Sequence, residues 1–313
     1  MFNKCPGIYC GRVIFDNETI SQCMSCPSGT RSSTSYPFTP STEIKVPSQC
    51  IECSETLGAH DWFYLGFMAL ILLIMEWYII DYSIRRRHLP FEVLIVHLSA
   101  LVEISLAALL TLLSFSTPVG SLNLKCCGAY RIADWYTLFF NPSVNFKDTI
   151  RCAQEAVYPL YSMIFLFYFL CLAHLITIRP WVIRWVSDSR APNTIYLTLY
   201  VIPALTVSHA LFSGLIYYSF PFLTLVSSTI SIAAHFAYRL DQSMEALFLK
   251  SFENIRSMII LFGHWLLHAY GIVSLTKFKN PVMDSLILLL VPFPSAFYIL
   301  TSKFSDPSKL HLH

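Results

Sequence analysis

Charge is scarce in this sequence: Asp, Glu, Lys and Arg make up 13% of 313 residues, against about 25% in a soluble globular domain. The deficit excludes a water-facing surface over most of the chain. Basic residues are not interleaved with aromatics on any polar face and the net charge is +2, so nucleic acid is not an expected partner. No GxSxG elbow, HExxH pair, phosphate-binding glycine loop or kinase signature occurs, which removes the common hydrolase and phosphotransfer scaffolds. Ahead of Asp61 no apolar stretch has the length of a signal-peptide core, so the first apolar helix is expected to carry the targeting information.

What the chain does have is apolar side chains, 55% of the total, with aromatics at 15% and a mean hydropathy of +0.56. About 20 apolar residues cross a bilayer as a helix. The pattern predicts an all-α membrane domain over 62–302 with about seven spans, at 62–82, 91–115, 156–178, 194–216, 219–238, 257–276 and 282–302. Arg85, Arg86, Arg87 and His88 follow the first span, and basic clusters stay cytosolic, so residues 1–61 are expected in the lumen. By alternation 116–155 is lumenal, the loop with Arg179, Arg184 and Arg190 cytosolic, and Lys277 and Lys279 sit in a tight lumenal turn. The tail 303–313 is cytosolic. Ile195 to Tyr238 carries no formal charge and is too long for one crossing. Its break is expected near Tyr217 to Pro221, because proline opens a helix better than it continues one. Leu240, Met244, Leu247, Phe248 and Phe252 recur at helical spacing, as in an amphipathic helix resting on the membrane, with a surface linker as the alternative. Pro159, Pro203, Pro221, Pro292 and Pro294 are expected to bend helices locally.

Residues 1–61 read as a small cysteine-rich head, with Cys5, Cys10, Cys23, Cys26, Cys50 and Cys53 in a stretch rich in Ser, Thr and Pro. The two CxxC pairs, Cys23–Cys26 and Cys50–Cys53, have spacing suited to a four-cysteine zinc site. The even count, the lumenal placement and the sequon at Asn17, glycosylated only in the lumen, favour disulfides instead. Cys126, Cys127 and Cys152 in the loop after span two are further candidates, at least one of them unpaired or bridging elsewhere; Cys171 falls inside span three.

Ionisable residues within spans cost about 2.5–3.5 kcal/mol each on insertion scales and are functional candidates by default. His264 and His268 share one face of span six at the spacing that lets two imidazoles grip a metal ion. His97 and Glu103 lie in span two, at depths that match His264 and His268 when counted at 1.5 Å per residue. One consequence is a membrane-embedded zinc-dependent lipid amidase or esterase using His97, His264 and His268, although position 93, where a serine partner would be sought, is valine. The other reading is interhelical hydrogen bonding, worth about 0.6–2 kcal/mol per group.

Several long strings carry a family resemblance: Cys5-Pro-Gly-Ile-Tyr-Cys10-Gly, Cys26-Pro-Ser-Gly, Asp61-Trp-Phe-Tyr-Leu-Gly-Phe-Met-Ala, Asp134-Trp-Tyr-Thr, Asn141-Pro-Ser, Glu155-Ala-Val-Tyr-Pro-Leu-Tyr, His264-Trp-Leu-Leu-His-Ala-Tyr-Gly and Thr301-Ser-Lys-Phe. Almost end to end, the chain resembles the c-Jun N-terminal kinase (JNK)-associated membrane protein family. The resemblance implies a seven-helix, non-enzymatic adaptor of the endoplasmic reticulum membrane without a cofactor. Its partners would be membrane lipid, proteasome subunits, ubiquitin-ligase and other degradation components, and a JNK-type kinase whose stress signal it prolongs. In the tail, Lys303 followed by Leu310 and Leu312 is like a kinase docking motif, and Lys309, His311 and His313 have the spacing of a retrieval signal.

Overall fold

In lipid every backbone polar group must be satisfied within its own segment, so long apolar runs become helices. The computed structural model describes residues 3–15, 19–35, 44–84, 90–137, 156–239, 241–253, 255–277 and 279–305. Among them six helices are long and apolar enough to cross a membrane. The described residues divide into two compact units, one up to Ile216 and the other from Tyr217 onward.

In the first unit, α1 (Ala59–Ile84) and α2 (Phe91–Phe115) pack on each other and on α3 (Leu160–Thr177). The start of α1 is capped by Asp61, whose carboxylate accepts the Gly58 N–H at 2.9 Å, an acid where the helix dipole favours one. Pro90 precedes α2 and Pro159 precedes α3, positions where a missing N–H does no harm. Pro180 cannot bond back into α3, and the chain restarts as α4 (Arg179–Ile183). The buried core includes Tyr64, Leu72, Ile80, Val96, Ala100, Leu160, Tyr168 and Leu175. Leu98, Leu101, Val102, Leu106 and Leu109 of α2 stay exposed, as befits helices whose solvent is hydrocarbon.

The charge-free run forms α5 (Pro192–Ala237). Its backbone leaves helical geometry at Phe212 (φ −120°, ψ 15°), upstream of the expected break, and Tyr217 to Pro221 are helical. From Pro192 to Phe212 the helix covers about 30 Å at 1.5 Å per residue, one hydrocarbon thickness.

The second unit holds the rest of α5 with α6 (Met244–Glu253), α7 (Ile255–Thr276), α8 (Pro281–Leu288) and α9 (Phe293–Ser305). The amphipathic stretch is helical as α6: Leu247 is buried against Ile232, Phe236 and Leu261, while Met244, Phe248 and Phe252 stay exposed. The last expected span is two helices, α8 and α9, parted by a turn that Pro292 ends.

Among the described residues the head has three two-stranded ladders: β1 (Cys10–Gly11) with β2 (Met24–Ser25), β3 (Thr30–Ser32) with β4 (Cys50–Glu52), and β5 (Glu55–Thr56) with β6 (Lys125–Cys126). So few apolar residues cannot hold a fold unaided, and disulfides supply the rest. They join Cys5 to Cys23, Cys26 to Cys50 and Cys53 to Cys127, and Cys10 is disulfide-bonded as well. The two CxxC pairs therefore do not converge on a zinc site; each cysteine pairs outside its own motif. Gly11 is required where it stands, since a Cβ there would collide with both sulfurs of the Cys26–Cys50 bridge. The head does not end at residue 61. Strand β6 and the third bridge bring the segment after α2 into it, and Lys125 Nζ meets Glu52 Oε1 at 2.9 Å.

Candidate functional site: buried ionic and polar contacts of the bundle

The most concentrated chemistry lies in the first unit, where three helices deliver ionised groups to one place. Arg179, the first residue of α4, is fully buried. Its Nε and Nη2 donate to the two carboxylate oxygens of Glu103 at 2.8 Å each, and Nη2 also reaches Glu76 Oε2 of α1 at 2.5 Å. In the sequence Arg179 serves only as a marker of a short loop after span three; its side chain is buried among the helices. Long cationic side chains near span ends normally reach outward to the headgroups; this one turns inward because two glutamates would otherwise be buried without a partner. A bidentate arginine–carboxylate pair is the strong form of this contact. Its Nη1 has no partner among the described residues, and two carboxylates against one guanidinium leave the site an excess negative charge when all are ionised. Nearby, His174 Nδ1 meets the Glu103 carbonyl at 3.2 Å.

A second cluster joins the head to the bundle. Asp134, 2% exposed, accepts the Tyr130 and Arg131 N–H groups at 3.1 and 3.0 Å and the Tyr9 hydroxyl at 3.2 Å. It also pairs with Arg31 at 2.9 Å. Burial, reinforced by the Asp134 charge, pushes the Tyr9 phenol up to about 12. Arg31 further donates to the Cys127 and Gly128 carbonyls at 2.6 and 2.8 Å, pinning the loop to the head. The next residue, Trp135, is buried between Tyr64 and Tyr161, and a Cβ on Gly214 of α5 would stand 3.0 Å from Trp135 Cβ. Close by, the buried His209 bonds Tyr64 Oη at 3.3 Å and the Tyr161 carbonyl at 3.1 Å.

In the second unit the polar groups that α5 and α7 bring together are neutral and paired. His264 Nδ1 meets the Ile260 carbonyl at 2.5 Å. A carbonyl only accepts, so that nitrogen carries the hydrogen and Nε2 accepts from Ser231 Oγ, also at 2.5 Å. Ser228 Oγ donates to the Leu225 carbonyl at 2.9 Å and meets His268 Nδ1 at 2.8 Å. Gly271 lets α7 approach this closely, since a Cβ there would lie 2.8 Å from Leu225 Cγ. His97 belongs to the first unit, with Nδ1 on the Val93 carbonyl at 2.8 Å and Nε2 3.7 Å from Asp81. The three histidines of the zinc alternative thus have polar neighbours of their own, and no group of three or more His, Cys, Asp or Glu suited to a metal occurs among the described residues.

With that geometry in place the relationships of the chain are informative. The sequence pattern of the JNK1/MAPK8-associated membrane protein family matches residues 5–307. The chain belongs to this family. The JNK1/MAPK8-associated membrane protein of Homo sapiens is 36% identical over 98% of this chain and 95% of its own length. A Caenorhabditis elegans homolog is 24% identical over 97% of this chain and 94% of its own. These relatives are named as kinase-associated membrane proteins and not as enzymes. No solved structure matches.

Other residues singled out in the sequence fall into three groups. Cys5, Cys10, Cys23, Cys26, Cys50, Cys53 and Cys127 are bridged. Cys126, also a disulfide candidate, is a free buried thiol; its neighbour Cys127, just past the end of β6, takes the bridge to Cys53. Burial pushes the Cys126 thiol up, away from the reactive thiolate. Asn17, Cys152, Lys309, Leu310, His311 and Leu312 lie outside the described residues, and of Lys303 only the helical backbone of α9 is described. Sequence reasoning missed Arg179, His209 and the Asp134–Trp135 anchor. Glu76 and Glu103, both well inside their spans while no lysine or arginine is assigned to a span, were a signal that a nearby arginine must turn inward.

Proposed function

We propose that this protein is an adaptor of the endoplasmic reticulum membrane, with its head in the lumen and its tail in the cytosol. Its cytosolic segments recruit proteasome subunits, ubiquitin-ligase and other degradation components to aid turnover of misfolded proteins. They also hold a JNK-type kinase and so set the duration of its stress signal. The carrying observation is the match to kinase-associated membrane proteins across nearly the whole chain. The triple arginine after α1 and the sequon at Asn17 support the orientation, and the bridged head suits an oxidising lumen. In this reading the intramembrane histidines pack helices, and no cofactor takes part.

Co-precipitation of a JNK-type kinase and of proteasome subunits with the full chain tests the proposal. Wild type is expected to retain both, and combined Lys303→Ala, Leu310→Ala and Leu312→Ala substitutions are expected to lose the kinase while localisation and proteasome capture persist. A wild-type protein that retains neither partner overturns the adaptor reading. Glycosidase sensitivity lost in Asn17→Gln checks the orientation.

A further inference from the structure

The second unit holds an open pocket of about 540 Å³ between the end of α5 and helices α6, α7 and α9. Phe236, Phe248, Phe252, Trp265 and Ile299 are among the residues that line it. The hydroxyls beside it are already engaged: Ser251 Oγ donates to the Leu247 carbonyl at 2.6 Å, and Ser295 Oγ accepts the Trp265 indole N–H at 2.9 Å. Such a wall gives a water molecule too few of the two to four polar partners it needs. An empty space of this size would forfeit dispersion contacts along its whole lining. The volume lies within the roughly 300–1,000 Å³ of small-ligand sites.

We propose that this cavity takes one acyl chain of a membrane phospholipid. The argument is continuity with the lipid-facing surface. Phe248, Phe252 and Leu300 line the cavity and are also exposed, and Phe293 and Phe297 of α9 and Phe262 and Leu266 of α7 are exposed on the same helices. Both helices belong to segments apolar enough to cross a bilayer, so hydrocarbon is the medium that reaches the mouth. Arg239, Asp241 and Glu245 cluster where α5 gives way to α6, marking a polar edge for a headgroup while the chain enters beneath α6. Helix α6 is fixed in place for this role: Ser243 caps the Ala246 N–H at 3.3 Å, and Leu247 anchors the far side of the helix in the core.

The test uses the full chain in phosphatidylcholine vesicles doped with a phosphatidylcholine bearing a diazirine in one acyl chain, irradiated and mapped by peptide mass spectrometry. Adducts on α6 and α9 are expected severalfold above those on the exposed face of α2. Ala296→Phe, which fills the cavity, is expected to remove most of that excess and leave α2 labelling unchanged; Ile299→Ala, which enlarges it, is expected to retain or raise it. Equal labelling of α2 and α6 in wild type, or an excess untouched by Ala296→Phe in protein whose α2 labelling is normal, overturns the proposal. Weak labelling of α6 with cross-links to a second copy there overturns it in favour of a protein occupant.

Discussion

The two units solve the same problem, polar groups inside a lipid-solvated bundle, by different means. Around Arg179 the groups are charged and converge, so that α1 and α2 share a single side chain from the start of α4. Along α5 and α7 they are neutral and separate, each imidazole meeting its own serine. A shared ion makes every participant depend on the others. Removing one partner of a buried ionic cluster costs about 3–5 kcal/mol because a charge is left uncompensated, whereas an interhelical hydrogen bond in a membrane averages about 0.6 and reaches about 1.7 kcal/mol. The first unit is therefore locked at one point, and the second is held by many small terms.

The largest expected effect follows from breaking the lock. Arg179→Met is expected to cost about 3–5 kcal/mol, seen as loss of folded protein in detergent unfolding curves and a shortened cellular half-life. Adding Glu76→Leu and Glu103→Leu to Arg179→Met is expected to recover much of that stability, since an apolar replacement of a whole buried cluster is often neutral or better. If the triple substitution is as damaged as the single one, the cluster does more than hold helices together.

Next in size is the junction of head and bundle. Cys53→Ser with Cys127→Ser is expected to cost about 2–4 kcal/mol and to open the segment after α2 to protease, while the Cys5–Cys23 and Cys26–Cys50 bridges still form. Gly214→Leu is expected to displace Trp135 at about 1–3 kcal/mol, the usual cost of overfilling a packed site, read as altered tryptophan emission with the bridges intact.

The smallest effects sharpen the contrast from the other side. His264→Ala and His268→Ala are each expected to cost about 0.6–2 kcal/mol and to leave the metal content of purified protein unchanged. A cost equal to that of Arg179→Met, or zinc that departs with either substitution, would break the comparison and revive a metal-dependent chemistry.

The spans were legible because lipid imposes one rule on long apolar runs, and α6 was legible because Met244, Leu247 and Phe248 repeat at the helical period. The inward turn of Arg179 was not, since hydropathy scores an arginine at a span end alike whether it faces headgroups or glutamates. Glu103 stood out as a buried charge, but rotation about a helix axis is not written in spacing, and its partner proved to be Arg179 instead of His268. The interruption at Phe212 has neither proline nor glycine at its position; Gly214 serves the contact with Trp135. Among the candidates Cys126, Cys127 and Cys152 at least one is expected to be unpaired or to bridge elsewhere, and the even count in the head did not reveal that Cys53 would bridge to Cys127.

The junction also sets a schedule. The head's ladders begin near the start of the chain, but Cys53 cannot close until Cys127 has been made, and Trp135 has no seat until Gly214 follows. A nascent protein thus carries an unfinished head through the insertion of its first two helices, with Cys53 and the buried face of Arg31 still open to oxidoreductases and chaperones. Closure of the head therefore waits on the first two helices, and a chain whose early helices fail to assemble would keep Cys53 unpaired.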